Sequence, residues 1–139
     1  FNMKIHIING PNLNLLGKRE PEIYGYQSFH EYIDELQKKY QDIEVSYFQS
    51  NNEGELISEL QESDDNVDGI IINAAAYTHT SIGMADTIRA IETPVVEVHI
   101  SNIFQRESFR HHSYIAPYCV GSISGFGLNS YNLAVQSLI

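Results

Sequence analysis

Strand-like and helix-like stretches alternate along the whole of this chain, and few architectures can bury both kinds of apolar face. Met3–Asn9, Ile43–Gln49, Gly69–Asn73, Val95–His99 and residues 118–124 are short runs of strand length, and Pro94 marks the start of the fourth. Between them, apolar residues recur at helical spacing over residues 28–40, 53–62, 80–91 and 128–138. Ser28 stands at an N-cap position with Glu31 three residues later, a capping box, and Phe29, Tyr32, Ile33 and Leu36 form one stripe. Leu56, Ile57 and Leu60 face inward in the next helix. Gly69–Asn73 is a continuous Ile-rich run, as in a strand covered on both faces.

This alternation predicts an α/β fold: a flavodoxin-like, doubly wound five-stranded parallel sheet in the order 2-1-3-4-5, with helices on both faces. One domain is expected over residues 3–139, with Phe1 and Asn2 ahead of Met3 reading as a cloning remnant. In such a sheet the loops after strands one, three and four share an edge, and ligands bind outside the carboxyl ends of the strands. Those loops begin at Asn9, Asn73 and His99 and hold most of the unusual polar residues.

Charge narrows the partners. The formal net charge is −10, with four Lys and four Arg, so no basic stripe exists for nucleic acid or an anionic membrane. A single cysteine, Cys119, excludes an internal disulfide and a multi-thiolate metal site; in its strand-like setting it reads as a buried, inert thiol. No apolar run approaches the roughly 18–20 residues of a membrane helix, and no secretory signal is visible. The cytoplasm is the expected compartment.

The loop from Asn9 to Gly25 contains three Gly, two Pro and three Asn, and reads as a functional loop without strand or stable helix. Gly125-Phe-Gly127 lacks the third glycine of a dinucleotide fingerprint, Ser130 standing there, and reads as a tight turn. No P-loop and no Gly-x-Ser-x-Gly elbow occurs, residues 121–125 having Ile123 at the centre. Neither His111-His112 nor Glu97-x-His99 has metal-ligand spacing, so no metal is expected; His6 and His30 read as structural.

His79 and His99 stand at or just after the ends of neighbouring strands, with Arg106 and Arg110 in the loop that follows. Glu97 alternates with His99 and shares its face, where a carboxylate fixes the imidazole tautomer and favours its protonated form, an asset to an acid. Tyr24 is the candidate base. A phenol needs cations to ionise near neutrality, and Arg19, five residues away, can supply one, with Arg106 adding to it. A phenolate suits removal of a C–H proton beside a carbonyl, with Asn12 holding the oxygen where enolate charge develops. Lys4, Lys38 and Lys39 lie away from that edge and only Lys18 reaches the loop, so a Schiff base is not expected. Asp86 lies within a helix flanked by Gly83 and Ala85, open to a solvated or an interface role.

The chain resembles the type II 3-dehydroquinate dehydratases. The residues that carry this are Asn9-Gly-Pro-Asn-Leu-Asn-Leu-Leu-Gly with Arg19 and Tyr24-Gly25, Gln49-Ser-Asn-x-Glu-Gly54, Asn73 with Ala76-Tyr-Thr-His79-Thr-Ser, Glu97-Val-His99-Ile-Ser101-Asn, and Arg106 with Phe109-Arg110-His-His-Ser. The resemblance implies a cofactor-free dehydration of 3-dehydroquinate to 3-dehydroshikimate in the shikimate pathway. It implies Tyr24 as the base that takes the C2 proton, Arg19 stabilising charge, Asn12 holding the enolate oxygen, His99 as the acid and Glu97 orienting it. It also implies carboxylate binding by Ile100 and Ser101, ring-hydroxyl binding by Asn73, His79 and Arg110, and Asp86 reaching a neighbouring subunit of a trimer within a homododecamer. Ala74-Ala75 stands where the family often has Pro-Gly, Phe104-Gln105 where His-Ala is common, and Ser130 where Gly is usual. Two other readings suit the same fold: a non-catalytic binding module for a small acidic metabolite, and a flavin-binding electron carrier.

Overall fold

The computed structural model describes residues 2–139 except Arg19 and Gly25, and of Ile23 and Tyr24 the backbone alone. Five parallel strands form one sheet: β1 (Met3–Asn9), β2 (Ile43–Gln49), β3 (Gly69–Asn73), β4 (Val95–His99) and β5 (Gly121–Ser124), in the order β2-β1-β3-β4-β5. The helices are α1 (Pro21–Tyr24), α2 (Phe29–Lys39), α3 (Glu53–Ser63), α4 (Ile82–Ala90) and α5 (Asn129–Leu138). The alternation of strand side chains divides the interior into two layers. Ile5, Ile7, Ile71, Val96 and Val98 pack against Phe29, Ile33 and Leu36 of α2 and against Tyr131, Ala134 and Val135 of α5. Ile8, Ile70 and Ile72 pack against Leu56 and Leu60 of α3 and Met84 and Ile88 of α4. β3 and β4 are buried along their whole length, as their apolar runs require.

Local signals place the helix starts. Ser28 Oγ accepts from the Glu31 amide at 3.2 Å, though the return half of the capping box runs from Ser28 Oγ–H to Glu31 Oε1 rather than to the backbone. Ser81 Oγ caps α4 through the Met84 amide at 3.0 Å, so that helix begins at Ile82, two residues later than its periodicity suggests. His6, in mid-β1, joins Ser46 Oγ of β2 at 2.6 Å and Glu59 Oε2 of α3 at 2.7 Å, a tie between sheet and helix.

Two expectations about the loops need correction. The loop after β1 is not without helix: Leu13–Leu15 form a 3-10 turn, and α1 follows with Pro21 at its first position, where the missing amide costs nothing. The last strand starts at Gly121 rather than at residue 118, because Pro117 sits in a 3-10 turn over Ala116–Tyr118; Cys119 therefore precedes the sheet instead of lying in it. The polar segment after β4 also contains 3-10 turns, Ile103–Gln105 and Ser108–Arg110.

Candidate active site

The carboxyl ends of β1, β3 and β4 build the site from the backbone outward. Asn9 and Asn73 sit side by side in the β1–β3 register, and the Gly10 amide donates to the Asn73 carbonyl at 2.8 Å. A β-carbon on Gly10 would lie 2.6 Å from the Ala74 carbonyl oxygen, so glycine lets β1 leave the sheet against the loop after β3. Between the two asparagines lies Tyr131 of α5, wholly buried; its hydroxyl donates to Asn9 Oδ1 and accepts from Asn73 Nδ2, both at 2.8 Å. Burial pushes the Tyr131 phenol far up, against the hydrogen bond from Asn73 that lowers it. The Ala75 amide donates to Asn73 Oδ1 at 3.1 Å, which leaves the Asn73 amide one possible orientation. Ala75, where the resemblance leads one to expect Gly, holds φ +52° with its amide on that oxygen.

Asn12 also adopts a left-handed conformation, φ 70°, one that asparagine tolerates, and its amide donates to Asn51 Oδ1 at 3.0 Å. Its exposed side chain opens on a hollow of about 100 Å³ shared with Leu16, Ala75, Ala76 and Arg110. A second hollow of about 340 Å³ is lined by Ile100, Ser101, Arg106 and Glu22 of α1; Arg106 Nη1 donates to Ser101 Oγ at 3.4 Å. Arg110 Nε is held 3.3 Å from Glu107 Oε1.

At the end of β4, His99 Nε2 lies 2.9 Å from Glu97 Oε2, and the two side chains are almost wholly withdrawn from solvent. Burial raises the Glu97 carboxyl, but hydrogen bonds from His99, Ser113 and Ser122 and the charge of His99 outweigh it and hold the group below its ordinary value. The His79 ring stacks on His99 with centroids 6.3 Å apart. His79 Nδ1–H donates to the His112 carbonyl at 2.7 Å, so its Nε2 carries the lone pair. Burial lowers the His79 imidazole below its ordinary value, more than that bond raises it, and the charges of His99 and Arg110 lower it further.

The expected residues therefore fall into groups. His99, Glu97 and His79 meet directly, Asn12 and Arg110 share one hollow, and Ile100, Ser101 and Arg106 share the next. Asn73 lies at the same edge but spends its described polar contacts on Tyr131 and Ala75. Asp86 is exposed on α4, and none of these contacts reaches it. Arg19 and the Tyr24 side chain lie outside the described residues. Tyr131 and Ser122 escaped the sequence reading, since a tyrosine on a helical stripe and a serine in a strand carry no local mark; Ser113 closes the run that begins at Phe109, but nothing local gives it a role. Among the described residues no three His, Cys, Asp or Glu side chains converge as a metal would require, and no helix is long and apolar enough to cross a membrane.

Known proteins resemble this chain in sequence and fold over its length. A family model, dehydroquinase class II, matches residues 3–139. A 3-dehydroquinate dehydratase of Exiguobacterium sp. is 54% identical over 138 residues, covering 99% of this chain and 94% of its own length. The crystal structure of a type II dehydroquinase from Butyrivibrio crossotus superposes with a TM-score of 0.94 at 45% identity, over 99% of this chain and 97% of that one. Its counterpart from Propionibacterium acnes gives 0.93 at 37% identity, over 99% and 98%. With sequence, fold and sheet order agreeing over its full span, the chain belongs to the class II dehydroquinase family.

Proposed function

We propose that this protein dehydrates 3-dehydroquinate to 3-dehydroshikimate without a cofactor, as a step of the shikimate pathway. Tyr24, ionised beside Arg19, removes the C2 proton; Asn12 holds the enolate oxygen that forms. His99, protonated and oriented by Glu97, gives its proton to the C1 hydroxyl, which departs as water. Ile100 and Ser101 receive the substrate carboxylate, and Asn73, His79 and Arg110 its ring hydroxyls. The observation that carries this reading is the buried Glu97–His99 pair at the carboxyl edge of the sheet, an acid held in place one residue before Ile100 and Ser101, which line a hollow with Arg106, while Asn12 and Arg110 line another. The exposed Asp86 supports a further proposal, that it completes the site of a neighbouring subunit in a homododecamer, the enzyme working in the cytoplasm.

The test mixes purified protein with 3-dehydroquinate and follows the ultraviolet absorbance of the conjugated product. Turnover unaffected by EDTA is the expected result, and binding without turnover would instead support the non-catalytic module. Tyr24→Phe and His99→Ala should each lower kcat by at least about 10²-fold with substrate still bound; normal turnover in either removes that residue from the mechanism.

A further inference from the structure

Glu97 receives more than the histidine. Ser113 Oγ lies 2.6 Å from its Oε2 and Ser122 Oγ 2.7 Å from its Oε1. Ser122 reaches it from β5, where it is the register partner of Glu97; Ser113 reaches it from the segment between the Ser108–Arg110 turn and the Ala116–Tyr118 turn. The direction of the Ser113 bond is fixed, because the Ala116 amide donates to Ser113 Oγ at 3.0 Å and the hydroxyl hydrogen is left for the carboxylate. Oε2 thus accepts from both Ser113 and His99, which requires a hydrogen on His99 Nε2. Among the described residues Nδ1 of His99 has no hydrogen-bond partner, so it is the nitrogen left to face a reactant.

We infer that Ser113 and Ser122 are positioning residues for the acid: they saturate the Glu97 carboxylate so that it accepts from His99 Nε2 in one geometry and leaves Nδ1 to carry the transferable proton. This rests on the proposed dehydration. In that step Nδ1–H passes its proton to the leaving hydroxyl, the C–O bond breaks with its electron pair leaving on oxygen as water, and the neutral imidazole keeps Nε2–H on Glu97. The acid therefore works only while Glu97 is ionised, and the two serines favour that state. The other titratable groups around Glu97 are His99 on its own strand, His79 stacked on that ring, Cys119 ahead of β5, and His111 and His112 across a hollow of about 500 Å³.

The test has two arms on the full chain. In wild-type protein labelled with ¹⁵N-histidine, neutral His99 should show the Nε2–H tautomer; an Nδ1–H tautomer overturns the inference whatever the activity. In S113A/S122A, kcat should fall about 10-fold or more with KM nearly unchanged, and the acid limb of the kcat profile should move up by about one pH unit, since Glu97 loses two donors to its charged form. S113T/S122T, which keeps both hydroxyls, should restore kcat and the limb. An S113A/S122A protein with wild-type kcat and an unmoved limb overturns the inference. If it fails to fold, the wild-type tautomer decides. A wild-type protein that shows the Nε2–H tautomer but leaves 3-dehydroquinate untouched would sink the proposed activity and not the positioning.

Discussion

Replacing Tyr131 by Phe keeps a buried ring and deletes one oxygen, which isolates what that hydroxyl does. The ring contacts survive: Phe29 lies edge-on at 4.8 Å between centroids and Tyr32 at 6.2 Å. What is lost is the acceptor for Asn73 Nδ2 and the donor to Asn9 Oδ1, on asparagines that are 3% and 0% exposed. Water cannot replace the hydroxyl at such sites, so each stranded group costs its desolvation, about 1–3 kcal/mol. Asn9 Nδ2 is already buried without a direct hydrogen-bond partner among the described residues, and Tyr47 is the other side chain that interacts with this amide, so the substitution would leave Asn9 Oδ1 without its hydroxyl donor. Two stranded groups, less the unfavourable burial of the phenol itself, give an expected loss of about 2–4 kcal/mol, a large share of the roughly 5–15 kcal/mol of a typical domain. Urea titration followed by far-ultraviolet circular dichroism, at one fixed protein concentration, should show the midpoint falling with an unchanged slope. A loss below about 0.5 kcal/mol, the scale of an ordinary surface change, would show that these two bonds do not hold the edge of the site together.

Further outcomes follow from the same geometry. Gly10→Ala drives a β-carbon into the Ala74 backbone and should cost about 1–3 kcal/mol in urea titration, while a neutral result would mean that β1 and the loop after β3 separate freely. Glu97 and His79 both have lowered folded values: their contributions are complete above their ordinary values of 4.5 and 6.5 and are lost as pH falls through the folded ones. Tm should therefore decline from near pH 6.5 downward, with His79→Gln removing the early part; a flat profile in wild type would contradict this. Burial, aided by Glu97, pushes the Cys119 thiol up to about 12, so a disulfide reagent at pH 8 should label native protein slowly and urea-unfolded protein at once. Stoichiometric labelling of the native protein on mixing would refute it.

Most of the fold was legible because its signals are local. The stripe Phe29, Tyr32, Ile33, Leu36 and the run Gly69–Asn73 state their own periodicity, and parallel strands joined by helices have few permitted arrangements. Errors arose where turn chemistry overrode composition. Pro21 opens a short helix inside a loop that reads as breakers, and Pro117 delays β5. Of the candidate site, the meeting of His79, Glu97 and His99 was legible, because strand ends converge in this sheet. Its supports were not. Tyr131 meets Asn9 across 122 positions of sequence, Ser122 meets Glu97 across 25, and the strand register that pairs them is a property of the assembled sheet.

Glu97 shows how the two levels join. Val95, Val96 and Val98 make β4 a strand that belongs in the interior, and a carboxylate among them contradicts the local pattern. Such a conflict is tolerated where the surroundings satisfy the charge. Here three donors from three parts of the chain do so: His99 from β4 itself, Ser122 from β5 and Ser113 from the preceding segment. Replacing Glu97 by Leu would remove the cost of burying a charge and yet strand two hydroxyls and an imidazole N–H, so its stability would not simply rise. The fold is thus committed to the carboxylate by the groups gathered around it, and the same commitment aims the imidazole at whatever enters from the carboxyl edge of the sheet.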